Sequence, residues 1–191
     1  MDKNQNKNGI RYAFIKVGMT SAFAADGAAK GVTVLKMQPA KVIRHEKLAD
    51  GRVLVVVEYD TGKFKKIVRG WVAENPSEFE VGSPLKLPEF TSGQEIKITG
   101  MSKGRGFQDA VTIHGFAGGP ASHGSRFHRA PGSVGMRTQP GRVMKGKKMP
   151  RQDGCDQITL RNVQVTYWSN EETVLAVAGG VPGSRGSLVF I

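Results

Sequence analysis

Short apolar runs recur toward both ends of the chain, separated by turn residues at roughly ten-residue intervals. The strongest runs, Val53 to Tyr59 and Gln157 to Trp168, are dense in β-branched residues, which favour strands. Looser alternation predicts further strands at Tyr12 to Val17, Val32 to Met37, Lys41 to His45, Gln94 to Thr99, Asp109 to His114, Val174 to Ala178 and Ser187 to Ile191. Turns are predicted at Gly18 to Thr20, Asp26-Gly27 and Asp50-Gly51.

Many short strands of this kind predict a mainly β fold with a small β-barrel built from both ends of the chain. We assign residues 11–99 and 152–191 to the barrel domain, with a short irregular arm near residues 60–90. Trp71 to Phe79 is expected to form a short helix or part of that arm. Residues 1–10 are polar and are expected to form a flexible tail.

The middle of the chain, residues 100–151, has a different pattern. It contains eleven of the 25 glycines, and no apolar repeat persists from Gly115 to Pro150. A loop of this length is usually either functional or disordered. A plain linker would show simple repeats, whereas this segment places Phe, His, Met and Pro at irregular positions. We therefore favour a functional extension over a linker.

Charge distinguishes the same segment. The chain carries 28 Lys and Arg residues against 16 Asp and Glu, a net charge of +12. Residues 100–151 contain ten of the basic residues and a single acid, Asp109, so about a quarter of the chain carries three quarters of the net charge. Such asymmetry indicates a polyanionic partner. Basic residues at irregular spacing suit the irregular phosphate surface of a folded RNA, and glycine allows backbone N–H groups to approach phosphates closely.

Other chemistries have little support in the sequence. Cys155 is the only cysteine, so neither an internal disulfide nor a Cys-based zinc site is expected. His114, His123 and His128 have no recognised metal-ligand spacing, and no nucleotide-binding loop is complete. We expect no cofactor, no small-molecule substrate and no membrane segment. An enzyme using His123 or His128 remains as the weakest alternative.

Three motifs carry a family resemblance: S-K-G-R-G-F at Ser102 to Phe107, S-H-G-S-R-F-H-R-A-P-G-S-V-G at Ser122 to Gly135, and P-G-R-V-M-K-G-K-K-M at Pro140 to Met149. K-V-G-M-T at Lys16 to Thr20 and V-P-G at Val181 to Gly183 extend it over nearly the whole chain. With these motifs the sequence resembles the large-ribosomal-subunit protein L-three family of bacterial type.

The resemblance implies a six-stranded, translation-protein-like β-barrel with a long irregular Gly/Lys/Arg-rich extension that enters large-subunit RNA. It implies a structural role without catalysis: binding of 23S-type RNA, nucleation of early subunit assembly and support of RNA near the peptidyl transferase centre, in the cytoplasm. Neighbouring proteins L-fourteen and L-nineteen are the implied protein partners. Many relatives have a methylated glutamine where this chain has Met136, so no such modification is expected here.

Residues of the extension form the expected contact set with ribosomal RNA. It comprises Lys103, Arg105, Phe107, His123, Arg126, His128, Arg129, Arg137, Gln139, Arg142, Lys145, Lys147, Lys148 and Arg151. The tip that the resemblance places near the peptidyl transferase centre comprises Gly135, Met136, Arg137, Thr138, Gln139 and Pro140. The main alternative is a free RNA-binding module or RNA chaperone on a β-barrel scaffold, which would share the charge of the extension.

Overall fold

The computed structural model describes residues 9–23, 27–62, 67–73 and 75–191. The chain divides into two compact units. The first, called here the barrel unit, contains the chain up to Met101 together with Gln157–Ile191, and the second, called here the glycine-rich unit, is Ser102–Asp156. The fold is mainly β, as expected from the sequence.

Eleven strands and two short helical segments are present among the described residues. The strands are β1 (Ala13–Phe23), β2 (Ala29–Met37), β3 (Ala40–Lys47), β4 (Val53–Tyr59), β5 (Ile67–Ala73), β6 (Glu95–Met101), β7 (Gly106–Gln108), β8 (Arg151–Asp153), β9 (Gln157–Ser169), β10 (Val174–Ala178) and β11 (Leu188–Phe190). The helical segments are a 3₁₀ turn at Pro76–Glu78 and the helix α1 at Ala110–His114.

Six strands from both ends of the chain pair into a closed barrel in the order β1, β11, β6, β9, β10, β2. All six ladders are antiparallel. Because side chains alternate across a strand, one face of each strand points into the barrel. Phe14, Leu35, Ile98, Leu175 and Val189 are fully buried there.

A separate three-stranded sheet, β3-β4-β5, forms the second layer of the barrel unit. Its inward side chains, such as Val55, Val57 and Tyr59, share a second core with Ala13 and Phe190 from the outer side of β1 and β11. Strands β3 and β4 lie within the predicted barrel-domain residues 11–99, but they belong to this second sheet and not to the ring of six strands. β4 pairs with both β3 and β5, and none of these three strands pairs with a barrel strand among the described residues.

Two distant motifs of the sequence meet on the barrel. The side chain of Lys16 on β1 is buried, and its Nζ donates to the carbonyl oxygens of Val181 at 2.7 Å and Gly183 at 3.2 Å. The backbone of Lys16 also pairs with Gly186 and Ser187. These bonds join the first strand of the barrel to the turn before its last strand.

Several local predictions require correction. Gly18 to Thr20 is not a turn, because β1 continues to Phe23 past a bulge between Lys16 and Gly18 and stays paired with β2. The irregular arm near 60–90 contains strand β5, which pairs with β4 along its whole length. Ile10 is buried in the second core and so does not belong to a flexible tail. Residues 1–8 and Asp26 of the predicted Asp26-Gly27 turn lie outside the described residues.

The middle segment also differs from its predicted limits of 100–151. Gly100 and Met101 end strand β6, where Gly100 lies opposite Val189 and Ile158. At the other end, β8 pairs with β7, which keeps residues 152–156 in the glycine-rich unit. Asp109 to His114 is not a strand. The Asp109 side chain accepts from the Thr112 N–H, and Gly115 ends helix α1 in the left-handed conformation at φ 68°, both of which are helix-end signals.

Candidate nucleic-acid interface

The glycine-rich unit has almost no hydrophobic core. Among residues 102–156, all of which the structure describes, only Ala110 is buried. The same unit carries ten Lys and Arg residues against three Asp residues. An unfolded chain must bury apolar surface to compensate for the loss of conformational entropy on folding. This unit buries little, so its ordered contacts are mainly polar.

Its two chain ends are held together by backbone pairing. Three residues of β7 pair with three of β8, and Arg105 N–H donates to the Asp153 carbonyl at 2.9 Å. The guanidinium of Arg105 also lies 3.3 Å from the Asp153 carboxylate. Gly154 lets the two chain segments beside these strands approach closely, since a Cβ at this position would lie 2.0 Å from the Lys103 carbonyl oxygen. Residues 102–108 and 151–156 thus form a paired base.

Helix α1 follows this base and organises an ion pair. Asp109 Oδ1 accepts from Thr112 N–H at 2.8 Å, while Asp109 Oδ2 accepts from Arg129 Nε. Arg129 Nη2 donates to Thr112 Oγ1 at 3.2 Å. These hydrogen bonds, first the one from Arg129 and then the one from Thr112, hold the pKa of the Asp109 carboxyl well below its usual range. Asp109 is therefore a charged acceptor throughout the neutral range.

A close chain crossing lies beside the ion pair. Gly119 N–H donates to the His128 carbonyl at 2.9 Å, and the His128 ring nitrogen Nδ1 lies 2.8 Å from the Pro120 carbonyl oxygen. Gly119 fits because it lacks a side chain: a Cβ there would lie 1.7 Å from the Phe127 carbonyl oxygen. The segment 118–120 is thereby fixed against residues 127–128.

Residues 130–148, called here the distal arm, have no such cross-links. Their hydrogen bonds join residues only two or three positions apart, at Ser133–Gly135 and Met144–Lys147, in a stretch that the structure describes throughout. Val134 to Arg137 faces Gly141 to Val143 across a shallow groove. Met136, the second residue of the predicted tip, is 78% exposed. The arm presents side chains to solvent and buries none of them.

The structure separates the predicted contact residues into two groups. Arg105 and Arg129 form internal ion pairs with Asp153 and Asp109. The other basic residues make no ion pair within the described parts of the chain; they are Lys103, Arg126, Arg137, Arg142, Lys145, Lys147, Lys148 and Arg151. Of the remaining predicted contacts, Phe107 is 72% exposed, His123 and Gln139 are exposed, and the His128 ring is engaged with Pro120.

Sequence reasoning missed the anchoring role of Asp109. Composition alone shows Asp109 only as the single acid of a basic segment, although the run from Asp109 to Gly115 carries the start and stop signals of a short helix. Asp153 was missed for a different reason: its partners, Arg105 and Gly106, lie far away in the sequence.

No other type of site is found within the described residues. They contain no group of three or more His, Cys, Asp or Glu side chains placed to hold a metal ion. None of the described helices is long and apolar enough to cross a membrane. Cys155 is exposed and unpaired by any disulfide.

Comparison with known proteins places these features in context. A family model described as Ribosomal protein L3 matches residues 29–179. Large ribosomal subunit protein uL3 of Thermosipho africanus is 42% identical over 193 residues, covering 92% of this chain and 94% of that relative. The uL3 proteins of Thermotoga maritima and Syntrophus aciditrophicus are 42% and 36% identical, each over 92% of this chain and over 93% and 89% of their own length.

Proposed function

The chain belongs to the Ribosomal protein L3 family, and we propose that it is a structural constituent of the large ribosomal subunit whose glycine-rich unit binds large-subunit ribosomal RNA. Proteins of this family are parts of the ribosome and are not enzymes. The expected compartment is the cytoplasm, where bacterial ribosomes are found. The barrel unit is proposed to be of the translation-protein type and to carry the glycine-rich unit as its extension.

One observation supports RNA binding more than any other. The glycine-rich unit has ten basic side chains, eight of them without an internal ion pair, and one buried residue. Exposed cationic groups without a core indicate a unit that is completed by a polyanion. The irregular backbone, with glycines at positive φ such as Gly124, Gly132 and Gly146, suits an irregular RNA surface better than a regular duplex groove.

Within the unit we assign different roles to two regions. Lys145, Lys147 and Lys148 are proposed to contact phosphates, because their ammonium groups are point charges that tolerate irregular geometry. The tip residues Gly135 to Pro140 are proposed to lie near the peptidyl transferase centre, where Arg137 and Gln139 contact RNA. Supporting this assignment, the tip is exposed and holds one charge among six residues.

Partners and assembly follow from the same proposal. Binding of the glycine-rich unit to unfolded or partly folded RNA would nucleate early subunit assembly. Proteins L-fourteen and L-nineteen are proposed as neighbours. Met136 stands at the position expected for a methylated glutamine, and a thioether side chain has no amide nitrogen to methylate, so this modification is expected to be absent.

Sedimentation of cell extracts tests the proposal against the alternative of a free RNA-binding module or chaperone. A structural constituent co-migrates with large subunits in sucrose gradients and stays bound after a high-salt wash, because many contacts must be lost together. A chaperone elutes in the wash, since its affinity rests on screened charge. Elution of the intact chain from otherwise stable large subunits would contradict the proposal.

A further inference from the structure

Helix α1 lies between the two ends of the distal arm. At its N-terminal end, Asp109 accepts from Arg129, the residue immediately before the arm. At its C-terminal end, a ring nitrogen of His114 lies 3.1 Å from the carbonyl oxygen of Met149, the residue immediately after the arm. The helix rises about 1.5 Å per residue, so these two attachment points lie within about two helical turns of each other.

We propose that α1 is a positioning clamp for the distal arm, in which Asp109 fixes Arg129 and His114 fixes Met149, so that the tip has its direction before RNA binds. This inference rests on the proposed function, because a preset direction matters only if the tip has a defined place in the RNA. Asp109, His114 and Arg129 are then positioning residues, and Arg129 differs from the basic residues that contact phosphates.

The contacts support a clamp over a chance surface pair. Asp109 Oδ1 caps the helix, Asp109 Oδ2 binds Arg129, and Arg129 also reaches Thr112 Oγ1, so three residues share one closed set of hydrogen bonds. The adjoining Gly119–His128 backbone bond fixes the chain next to Arg129. Beyond these residues the arm has only local bonds, so its direction depends on where its two ends are held.

The effect of Asp109→Ser distinguishes a clamp from a purely electrostatic role of Arg129. Asp109→Ser keeps a good helix-capping side chain but removes the carboxylate that binds Arg129. If Arg129 is an ordinary phosphate contact, removing a nearby negative charge tightens RNA binding. If α1 is a clamp, Asp109→Ser and Arg129→Gln have the same effect, although they change the net charge in opposite directions. Both leave the direction of the tip less well defined, so that the tip reaches a wider set of nucleotides.

Matched variants control for charge and for ring loss. Asp156→Asn removes a carboxylate of the same unit that forms no ion pair within the described residues, and it is expected to leave the cleavage pattern narrow. Arg126→Gln removes an exposed guanidinium that forms no ion pair within the described residues; because Arg126 is an expected RNA contact, this variant should weaken binding while the cleavage pattern stays narrow. At the other attachment, His114→Phe removes the bond to Met149, while His114→Gln keeps an N–H donor at a similar reach and should restore the parent behaviour.

Directed hydroxyl-radical probing of the full chain measures the outcome. An iron chelate is tethered at Met136→Cys in a Cys155→Ser background, and the chain is bound to protein-free large-subunit RNA. The parent is expected to cleave a narrow set of nucleotides. Asp109→Ser, Arg129→Gln and His114→Phe are expected to lower the strongest cleavage at least fivefold and spread it, with the Asp109/Arg129 double variant no worse than either single variant.

A second readout needs no RNA and keeps the two proposals distinguishable. In the free protein, hydrogen exchange of the Gly119 amide is expected to accelerate at least fivefold in Asp109→Ser and to stay unchanged in Asp156→Asn. Either an unchanged exchange rate or an unchanged cleavage pattern in Asp109→Ser would overturn the clamp. Absence of cleavage by the parent chain on bound RNA would instead contradict the proposed function, and the exchange result would still decide the clamp.

Discussion

The barrel unit and the glycine-rich unit are held in their folded conformations by different kinds of interaction. The barrel unit has two buried clusters, one inside the barrel and one between the barrel and the β3-β4-β5 sheet. The glycine-rich unit buries Ala110 alone among its residues, all of which are described, and relies on a short strand pair, a five-residue helix and an ion pair. The barrel unit is stabilised by the packing of buried apolar side chains. The glycine-rich unit instead leaves its cationic side chains exposed, where a partner can bind them.

The largest effect that separates the two units is expected from deletion of residues 120–145. The barrel unit should keep its cooperative unfolding transition, since all six barrel strands lie outside the deletion. Incorporation into active large subunits should be lost, because the tip is removed together with Arg126, Arg137, Arg142 and Lys145, half of the cations of the glycine-rich unit that form no ion pair within the described residues. Calorimetry and gradient sedimentation measure the two outcomes. An unfolded truncated chain would show that the division into two units is wrong.

The same substitution in each unit gives the next largest contrast. Phe14 is fully buried, with its ring 6.4 Å from those of Phe90 and Trp168, so Phe14→Ala is expected to lower the free energy of unfolding by about 3–5 kcal/mol. Phe107 is 72% exposed, so Phe107→Ala should change it by less than about 0.5 kcal/mol. Chemical denaturation measures both. Equal losses would mean that Phe107 is packed in solution.

A smaller loss is expected at the joint between β1 and the turn before β11. Lys16→Met keeps the length of the side chain but leaves the carbonyl oxygens of Val181 and Gly183 without the Nζ donor. An unsatisfied buried acceptor costs about 1–3 kcal/mol. The exposed Lys36 on β2 is the matched control, and Lys36→Met should leave the unfolding free energy nearly unchanged. A neutral Lys16→Met variant would show that these bonds add no stability.

The smallest effect on folding, and a graded effect on binding, is expected from the triple change of Lys145, Lys147 and Lys148 to Gln. The slope of log affinity against log salt should become shallower by about two to three, close to one per lost phosphate contact. Stability should not change, since these side chains are exposed. The control is the triple change of the exposed Lys41, Lys47 and Lys86 to Gln in the barrel unit, which should leave this slope nearly unchanged. If the triple change of Lys145, Lys147 and Lys148 leaves the slope unaltered, the proposal that these residues contact phosphates is wrong.

The contrast between the units also explains which features the sequence could predict. Val53 to Tyr59 and Gln157 to Trp168 were predicted as strands and are strands β4 and β9, because β-branched runs reflect local preference and burial together. Which strands share a sheet was not predictable: β4 belongs to the three-stranded sheet, and that depends on pairing between residues far apart in sequence.

The sequence predicts which types of residue make up the candidate site, but it does not predict which of these residues pair with each other. Its cations and glycines are visible in the sequence, and they located residues 100–151 close to the observed unit of Ser102–Asp156. The pairing of Arg129 with Asp109 and of Arg105 with Asp153 was not visible, because the partners lie 20 and 48 positions apart. Two of the predicted RNA contacts thus have an internal partner that only the structure reveals.

The most direct test of the central claim is the density of the chain within purified large subunits by electron cryomicroscopy. Residues Gly135 to Pro140 are expected to be ordered against ribosomal RNA, with the Arg137 guanidinium within hydrogen-bonding distance, about 3 Å, of a phosphate or base. The barrel unit is expected to keep its six-stranded ring. Clear density that places Arg137 in solvent, or against protein alone, would contradict the account.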